Sequence, residues 1–157
     1  MAPVLVVVTF CAMEPATYAV HRWLMHGPGR GLHRSHHRLA AGRFEANDLY
    51  PVAFAGVVGL ALLIGFNVDG LGWLVPIGAG VTLYGAAYAA VHDGHIHGRL
   101  PFLARLHWAW LDRLAAAHRV HHRDGGEPYG MLLPLVPAHR RGAAVSSAPS
   151  RRSPIGR

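Results

Sequence analysis

Residues 71–97 read LGWLVPIGAGVTLYGAAYAAVHDGHIH, in which an uncharged segment runs directly into a set of histidines. The uncharged part, 71–91, matches the roughly 20 apolar residues that a helix needs to cross a bilayer. It is rich in glycine and alanine, which lets helices approach one another closely in lipid. His92 and His97 follow it at the spacing HxxxxH. This stretch predicts a membrane-spanning helix that carries histidines at one end.

Two further apolar segments are long enough to cross a bilayer. Residues 2–20 are interrupted only by Glu14 and Pro15, and residues 49–66 carry no charge. The short polar sequence 67–70 joins the second segment to the third and predicts a tight helical hairpin. Apolar residues make up 52% of the 157-residue chain and charged residues 15%, which is too apolar for an ordinary soluble surface. We therefore expect an all-α integral membrane protein with three transmembrane helices.

The arginines predict how the spans are oriented. All 15 basic residues are arginines, and they lie after the first span and after the third, but not in the 67–70 turn. The positive-inside rule then places both arginine-rich segments in the cytoplasm and the N-terminus outside. The net charge of +7 suits the anionic inner face of the cytoplasmic (inner) membrane. Nucleic-acid binding is a poorer interpretation, because the arginines flank apolar spans.

The chain after the third span gives a weaker pattern. Residues 102–117 place apolar side chains at helical spacing, which predicts an amphipathic helix lying in the membrane interface. A fourth, short span or a re-entrant helix is the alternative. From residue 138 the composition is rich in Arg, Ser, Pro, Gly and Ala, which is typical of disorder. We therefore expect a membrane domain over 1–137 and a disordered C-terminal tail over 138–157.

Ten of the 13 histidines fall into four groups that repeat two patterns. The spacings HxxxxH and HxxHH occur in that order after the first span and again after the third. By the arginine argument all four groups lie on the cytoplasmic side. Histidine is the commonest metal ligand, and ten are too many for one ion but about right for two. The candidate ligands are His21, His26, His33, His36, His37, His92, His97, His118, His121 and His122.

Helical geometry constrains how each pattern can face a metal. Residues at i, i+3 and i+4 share a helical face, so we expect each HxxHH to direct three imidazoles to one place. Five residues turn about 140° away from a face on a regular helix, so HxxxxH needs a helix that ends or unwinds. Gly27 and Gly98 follow the two pairs directly. We expect the first histidine of each pair on a helix and the second at its unwinding end.

Four polar residues are candidates for the surroundings of the metals. Glu14 is the one charge inside a span, and such residues usually face the bundle interior. Three roles are open for Glu14: a hydrogen bond to a metal-ligating histidine, a position lining the substrate path, or a hydrogen bond between two helices. Asp93, Asn47 and Asp48 are candidates to accept the second N–H of a ligating imidazole. Glu45, Asp93 and Asp48 are equally candidates for ion pairs with arginines.

Several stretches around the histidines match a known family over about residues 10–135. On these residues the chain resembles the bacterial β-carotene hydroxylases of the membrane fatty-acid hydroxylase superfamily. HxxxxH and HxxHH specify only the superfamily, whereas Phe-Glu-x-Asn-Asp-Leu-Tyr and His-Asp-Gly point to carotenoid hydroxylases. The matching stretches are Met13-Glu14, His21-Arg22 through Gly27, Ser35-His36-His37, Phe44-Glu45 with 47–50, His92-Asp93-Gly94 with His97, Pro101-Phe102, and Ala117-His118-Arg119 with His121-His122.

The resemblance implies a specific chemistry. It implies two iron ions bound under the cytoplasmic face by the ten motif histidines, with O2 and reduced ferredoxin as co-substrates and a ferredoxin reductase as a further partner. It implies hydroxylation at C3 of the β-ionone ring of a lipid-soluble carotenoid, from β-carotene through cryptoxanthin to zeaxanthin. Zinc is the expected substitute in some preparations, because imidazole suits zinc, copper and nickel as well as iron.

The chain departs from this family at His95, which stands where an aliphatic residue is more usual and is a candidate extra ligand. Other functions remain open. The same two-metal site would serve a fatty-acyl or sterol hydroxylase or desaturase, or a carotenoid ketolase acting at C4. A membrane metal-transport protein is a rival from another class. Transport predicts ionisable groups near the bilayer midplane, whereas the histidines here lie after the spans and the second and third spans carry no charge.

Overall fold

The computed structural model describes residues 1–38 and 44–133, and within these ranges the chain forms helices and turns without a strand. Three helices are long and apolar enough to cross a membrane, namely Ala2–Met25, Ala46–Asn67 and Leu74–Ile96. The predicted all-α membrane protein with three spans is therefore confirmed. The predicted domain boundary and the tail from residue 138 lie outside the described residues.

The first and third spans change from α-helix to π-helix as they reach the histidines. Helix α1, Ala2–Ala19, continues as a π-helix over Val20–Met25. Helix α4, Leu74–Tyr88, continues as a π-helix over Ala89–Ile96. A π-helix bonds residues five apart, is rare, and is frequently found at functional sites. The chain therefore changes its helical pitch at the same place in both spans, where the histidines begin.

The middle span, α3, lies between two turns. It covers Leu49–Asn67 and is preceded by the 3₁₀ turn Ala46–Asp48. The polar sequence 67–70 then connects it to α4, as predicted, with Gly70 at φ +81°, a conformation that costs glycine little. Earlier in the chain, a four-residue helix α2, Arg30–His33, carries the first histidine of the first triplet.

Glycines on α4 let the three spans pack closely. α4 contacts α1 on one side and α3 on the other. A Cβ atom added to Gly80 would lie 2.6 Å from the carbonyl oxygen of Val6, and one on Gly78 would lie 2.5 Å from Leu62 Cδ2. The close atom at Gly80 is backbone, so that position has no room for a larger side chain, whereas at Gly78 the Leu62 side chain would have to move. The expected role of the small residues in the third span is confirmed.

The helix predicted over 102–117 is wrong in its bounds. The structure has a short helix α5, Pro101–Ala104, and then a separate helix α6, Ala109–Asp124, with Trp108 in extended conformation at its start. α6 is amphipathic, as expected. It extends past the predicted end at residue 117 and includes the last HxxHH, because His118 and His121 are buried together with its apolar side chains. α6 is not among the helices of the described chain that qualify as spans, so the fourth-span alternative gains no support.

The outer faces of the spans are apolar. Val7, Val57 and Leu60 are 61%, 67% and 57% exposed. Large apolar patches of this kind are uncommon on soluble proteins and suit contact with lipid. The buried residues instead concentrate at the histidine end, where the π-helices meet α6.

Candidate metal centre

The motif histidines converge in two groups at one end of the spans. Nine of the ten form two groups in which all ligand atoms lie within 4.8 Å of one another. His92 Nε2 lies 3.0 Å from His36 Nε2, so we count His92 with the second group. Group one is His21, His26, His33, His37 and His121, and group two is His36, His97, His118 and His122 together with His92.

The middle histidine of each triplet crosses to the other group. His33 and His37 lie together in group one with their Nε2 atoms 3.1 Å apart, whereas His36 lies in group two. The expectation that one HxxHH faces one place is therefore wrong. On a regular helix such as α6, residues at i and i+4 lie about 40° apart, but i+3 and i+4 differ by about 100°; the first triplet makes the same exchange in the turns that follow α2. The second triplet repeats the exchange, with His118 and His122 in group two and His121 in group one.

The HxxxxH pairs lie on the π-helical turns. The backbone N–H of His26 donates to the carbonyl of His21 at 3.0 Å, and that of His97 to His92 at 2.9 Å. A π-helix bonds residues five apart, so it brings both histidines of the pair towards one side. His26 and His97 are the residues that end the two π-helices, which confirms the expected placement. The sequence did not predict the π-helix itself, although the five-residue spacing was its signal.

Backbone carbonyls orient two imidazoles of group one. His21 Nδ1 lies 3.0 Å from the carbonyl oxygen of Tyr129, and His121 Nδ1 lies 2.6 Å from that of Gly126. A carbonyl only accepts, so each ring must donate from Nδ1. These two acceptors were missed by sequence reasoning, because a backbone carbonyl leaves no mark on residue type.

A side-chain amide orients a third imidazole of group one. His33 Nδ1 lies 2.7 Å from Asn47 Oδ1, at one of the positions considered for this role. Asp48 has a different contact, because its carboxylate accepts from Arg99 at 2.8 Å and from the backbone N–H of Glu45 at 2.9 Å. Asp48 thus serves as an ion-pair partner in the connection that leads into α3.

Carboxylates orient two imidazoles of group two. His92 Nδ1 lies 2.7 Å from Asp93 Oδ1, and His36 Nδ1 lies 3.2 Å from Glu45 Oε2. Glu45 also pairs with Arg99 at 3.2 Å. Sequence reasoning considered Glu45 only for an ion pair with an arginine. Its position two residues before Asn47, itself a candidate acceptor, was the available sign that Glu45 also accepts from a histidine. A carboxylate acceptor makes an imidazole a stronger electron donor than a neutral acceptor does. The two groups therefore differ in electrostatics.

The donor geometry fits a cation in each group. Because Nδ1 of His21, His33, His36 and His92 carries a hydrogen, Nε2 of each neutral ring presents a lone pair. These lone pairs face each other at 3.1 Å between His21 and His33 and at 3.0 Å between His36 and His92. Two ligands at right angles on one ion, with bonds of about 2.1 Å, would lie about 3.0 Å apart. A metal ion held between the nitrogens relieves the repulsion.

For the imidazoles that lie outside the spans, burial favours the neutral form, which is the form that binds metals. Desolvation is the largest cause that lowers the pKa of His33 to about 4, of His97 to about 4 and of His121 to about 3. Repulsion from neighbouring histidines lowers these pKa values further. At neutral pH each ring is uncharged and offers a nitrogen lone pair.

The two remaining candidates have other partners. His95 belongs to neither group of the described chain, and its Nδ1 donates to the carbonyl of Leu103 at 2.9 Å, which ties the π-helix to α5. Glu14 accepts a hydrogen bond from the Tyr84 hydroxyl at 2.6 Å and others from backbone N–H groups after α6. Glu14 also lines a cavity beside α1.

Fold and site together define a helical membrane protein with a histidine-rich metal site suited to two ions. A match to the fatty acid hydroxylase family covers residues 6–137. The chain belongs to this family of hydroxylating oxidoreductases, which confirms the resemblance seen in its sequence. No solved structure gives a significant match to the chain.

The chain is similar to curated hydroxylases from bacteria and plants. It is 42% identical over 142 residues to a protein named Beta-carotene hydroxylase of Pseudescherichia vulneris, covering 85% of this chain and 77% of that protein. A protein of the same name from Pantoea ananas is 43% identical over 132 residues, covering 82% and 74%. Beta-carotene 3-hydroxylase 1, chloroplastic, of Arabidopsis thaliana is 42% identical over 118 residues, covering 72% and 38%.

Proposed function

We propose that this protein is a carotenoid 3-hydroxylase that converts β-carotene through cryptoxanthin to zeaxanthin with O2 at two histidine-bound iron ions. The observation that carries the proposal is the meeting of two histidine groups at one end of three apolar spans. The names of the similar proteins supply the substrate. When bound, the irons supply the activation of O2 that an unreactive C–H bond requires and that acid–base side chains cannot provide.

The histidines and their acceptors prepare the site for that chemistry. The ten histidines are the ligands we propose, five to each ion. The Nδ1 acceptors fix the ring orientations, so the lone pairs point at fixed places before a metal binds. Asn47, Glu45 and Asp93 supply three of these acceptors. Burial of the imidazoles excludes water and keeps competing ligands away from the metals.

A cavity beside α1 is suited to the apolar end of the substrate. Its volume is about 320 Å³, and it is lined by Glu14, Pro15, Tyr18, Gly130 and Leu133. Pro15 is exposed and Leu133 is 52% exposed, so the cavity opens sideways on the apolar surface of the span. A carotenoid dissolves in lipid and not in water, so a lateral entrance lets it reach the site without leaving the bilayer.

Tyr129 connects this cavity to group one. Its ring centroid lies 5.8 Å from that of Tyr18, which forms a wall of the cavity. On the other side it lies 5.4, 5.1 and 5.3 Å from the rings of His21, His26 and His121. One aromatic ring therefore separates the cavity from the histidines, which is the arrangement expected if the substrate ring is presented to the metals.

The exposed surface around the histidines suits an acidic electron donor. Arg30, Arg34, Arg38 and Arg119 are exposed and neighbour the ligand candidates in sequence. A positive surface of this kind steers an acidic protein to the site, and reduced ferredoxin supplied by its reductase is the donor we propose. The positive-inside rule supports a location in the cytoplasmic membrane, with the metal site facing the cytoplasm and the N-terminus outside.

A fatty-acyl substrate is the second candidate, favoured by the family to which the chain belongs. The histidine groups would serve either substrate. A cyclic end group needs a wider space than a linear chain, so the two substrates differ in the shape of site that they require. Product analysis identifies the substrate directly and is the test that decides between them.

The test is expression in a bacterium that makes β-carotene, followed by pigment analysis with chromatography and mass spectrometry. We expect cryptoxanthin and zeaxanthin from the wild type and unchanged β-carotene from His36→Ala and His121→Ala. His107→Ala is the matched control, because His107 has a 77% exposed side chain and lies outside both groups. Unchanged β-carotene in cells whose wild-type protein is membrane-inserted and iron-loaded would overturn the carotenoid assignment. Hydroxylated acyl chains would then support the second candidate.

A further inference from the structure

The segment after α6 lies along the first span as a strap, which we define as residues 126–133. Near the histidines, the carboxylate of Glu127 accepts from the Tyr18 hydroxyl and from Arg22 Nη1, the latter at 2.9 Å. Glu14 binds the other end of the strap. Glu14, Tyr18 and Arg22 are spaced four residues apart, so they form one stripe along the helix. The strap therefore runs antiparallel to α1, from the histidines towards the middle of the span.

Glu14 satisfies three consecutive backbone N–H groups of the strap. Met131 N–H donates to Oε1 at 2.8 Å, Leu132 N–H donates to both carboxylate oxygens at 3.0 Å, and Leu133 N–H donates to Oε1 at 3.0 Å. Glu14 lies seven residues before the first motif histidine, which is about 10 Å along a helix. Non-helical backbone at membrane depth persists only where its polar groups find partners. A carboxylate in this span supplies those partners.

The other end of the strap orients histidines. The carbonyl of Gly126 accepts from His121, and that of Tyr129 accepts from His21. Both histidines belong to group one. In group two, by contrast, His36 and His92 are oriented by side chains outside the strap. A displaced strap would therefore disturb group one and leave the acceptors of group two in place.

We propose that Glu14 is a positioning residue for group one, acting through the strap that it binds and not by contact with a metal. This inference rests on the two-metal site of the proposed function. The carboxylate holds Met131–Leu133, the strap holds the carbonyls of Gly126 and Tyr129, and these hold His121 and His21. Loss of the carboxylate releases the strap at Met131–Leu133, so that Glu127 is left to hold it to α1 at its other end, and this weakens one metal position of the two.

The competing role for Glu14 is to join two spans, because the Tyr84 hydroxyl on α4 donates to its Oε2 at 2.6 Å. The two roles can be separated. Tyr84→Phe removes the bond between the spans and leaves the N–H bonds from the strap. Glu14→Leu removes both. Glu14→Gln keeps an oxygen for the strap N–H groups and an N–H that can donate to Tyr84, so it serves as the conservative variant.

The experiment measures metal per chain in purified full-length protein after dialysis against a chelator, and the absorption spectrum of the cobalt-substituted protein. We expect Glu14→Leu to fall from two metals per chain to about one, with the cobalt bands of one site lost. Glu14→Gln and Tyr84→Phe should keep two metals and the wild-type spectrum. Two metals and an unchanged spectrum in Glu14→Leu would overturn the inference, as would equal metal loss in Tyr84→Phe.

A milder variant covers the case in which Glu14→Leu fails to insert. A Cβ atom on Gly130 would lie 3.0 Å from Glu14 Oε1 and 3.1 Å from the Leu133 carbonyl, so Gly130→Ala strains the strap without altering α1. We expect one of the two metals to leave at least threefold faster in the chelator, and equal rates would overturn the inference. Because no substrate is present, an error in the carotenoid assignment leaves this test intact. Wild-type protein with fewer than two metals overturns the two-metal site and this role together.

Discussion

The Nε2 atom of His36 lies 3.0 Å from the Nε2 atom of His92, although 56 positions separate the two residues in the chain. His36 belongs to a triplet whose outer members, His33 and His37, lie in the other group. His121 makes the reciprocal crossing from the second triplet. Each group therefore draws histidines from both repeats of the pattern. Neither repeat can assemble a complete metal position without the other.

This exchange predicts which variants resemble one another. His121→Ala should remove the same metal as His26→Ala, because both residues lie in group one, and His118→Ala should remove the other. The expected metal content is about one per chain in all three variants. The absorption spectrum of the cobalt-substituted protein then shows which position remains. We expect matching spectra from His121→Ala and His26→Ala and a different spectrum from His118→Ala.

The opposite pairing would contradict the exchange. If each triplet served one metal, His121→Ala and His118→Ala would leave the same position and give the same spectrum. His95→Ala is the control, since its Nδ1 donates to the Leu103 carbonyl and it lies in neither group. That variant should keep both metals.

The carboxylates of group two should strengthen its hold on a metal. Asp93→Asn and Glu45→Gln replace a charged acceptor of an imidazole N–H with a neutral one. Loss of such partners typically weakens metal affinity by about 10–100-fold. We expect a decrease near the lower end of that range, confined to one of the two metals, measured by competition with a chromophoric chelator.

Asp112→Asn is the matched control for charge, because Asp112 is 49% exposed and its ion-pair partner is the exposed His107. Its metal affinities should equal those of the wild type. Equal weakening of both metals in Asp93→Asn would contradict the assignment of Asp93 to group two and indicate a general loss of stability.

The sequence predicted the spans and the candidate ligands because both depend on residue type. An uncharged run such as 49–66 identifies a lipid-facing helix regardless of its neighbours, and a repeated histidine spacing marks a metal site. The crossing of His36 was beyond prediction, since it depends on where the two triplets meet in space. The break before Ala109 was also missed, because apolar spacing continues across it. The acceptors at Gly126 and Tyr129 are carbonyls, which every residue possesses.

Close packing of the spans makes a prediction at Gly80. Gly80→Ala places a Cβ atom within 2.6 Å of the Val6 carbonyl and 2.8 Å of Thr9 Cβ, so α1 and α4 must separate. Overpacking of this kind costs about 1–3 kcal/mol of unfolding free energy. Thermal unfolding in detergent should show the loss. Gly85→Ala on the same helix is the control, because nothing lies within 4 Å of its Cβ position, and it should be neutral or slightly stabilising.

The cavity beside α1 predicts a selective effect on substrate binding. Leu133 lines the cavity and is 52% exposed, so Leu133→Trp can narrow the entrance without entering a packed core. We expect KM for β-carotene to rise roughly tenfold, which corresponds to about 1.4 kcal/mol, with kcat changed less. The assay uses purified enzyme in lipid nanodiscs with a reduced electron donor. Metal content must stay at the wild-type value, since Leu133 is also part of the strap.

Val8→Trp is the matched control for the same added bulk. Val8 lies on α1, the span beside the cavity, is 56% exposed, and does not line the cavity, so its variant should keep the wild-type KM. A tenfold rise in both variants would mean that a large side chain on either α1 or the strap hinders access from lipid. An unchanged KM in Leu133→Trp, with both metals bound, would mean that the substrate reaches the histidines by another route. A rise confined to Leu133→Trp places the route between α1 and the strap, because Leu133 lies on the strap at the cavity whereas Val8 lies on α1 away from the cavity.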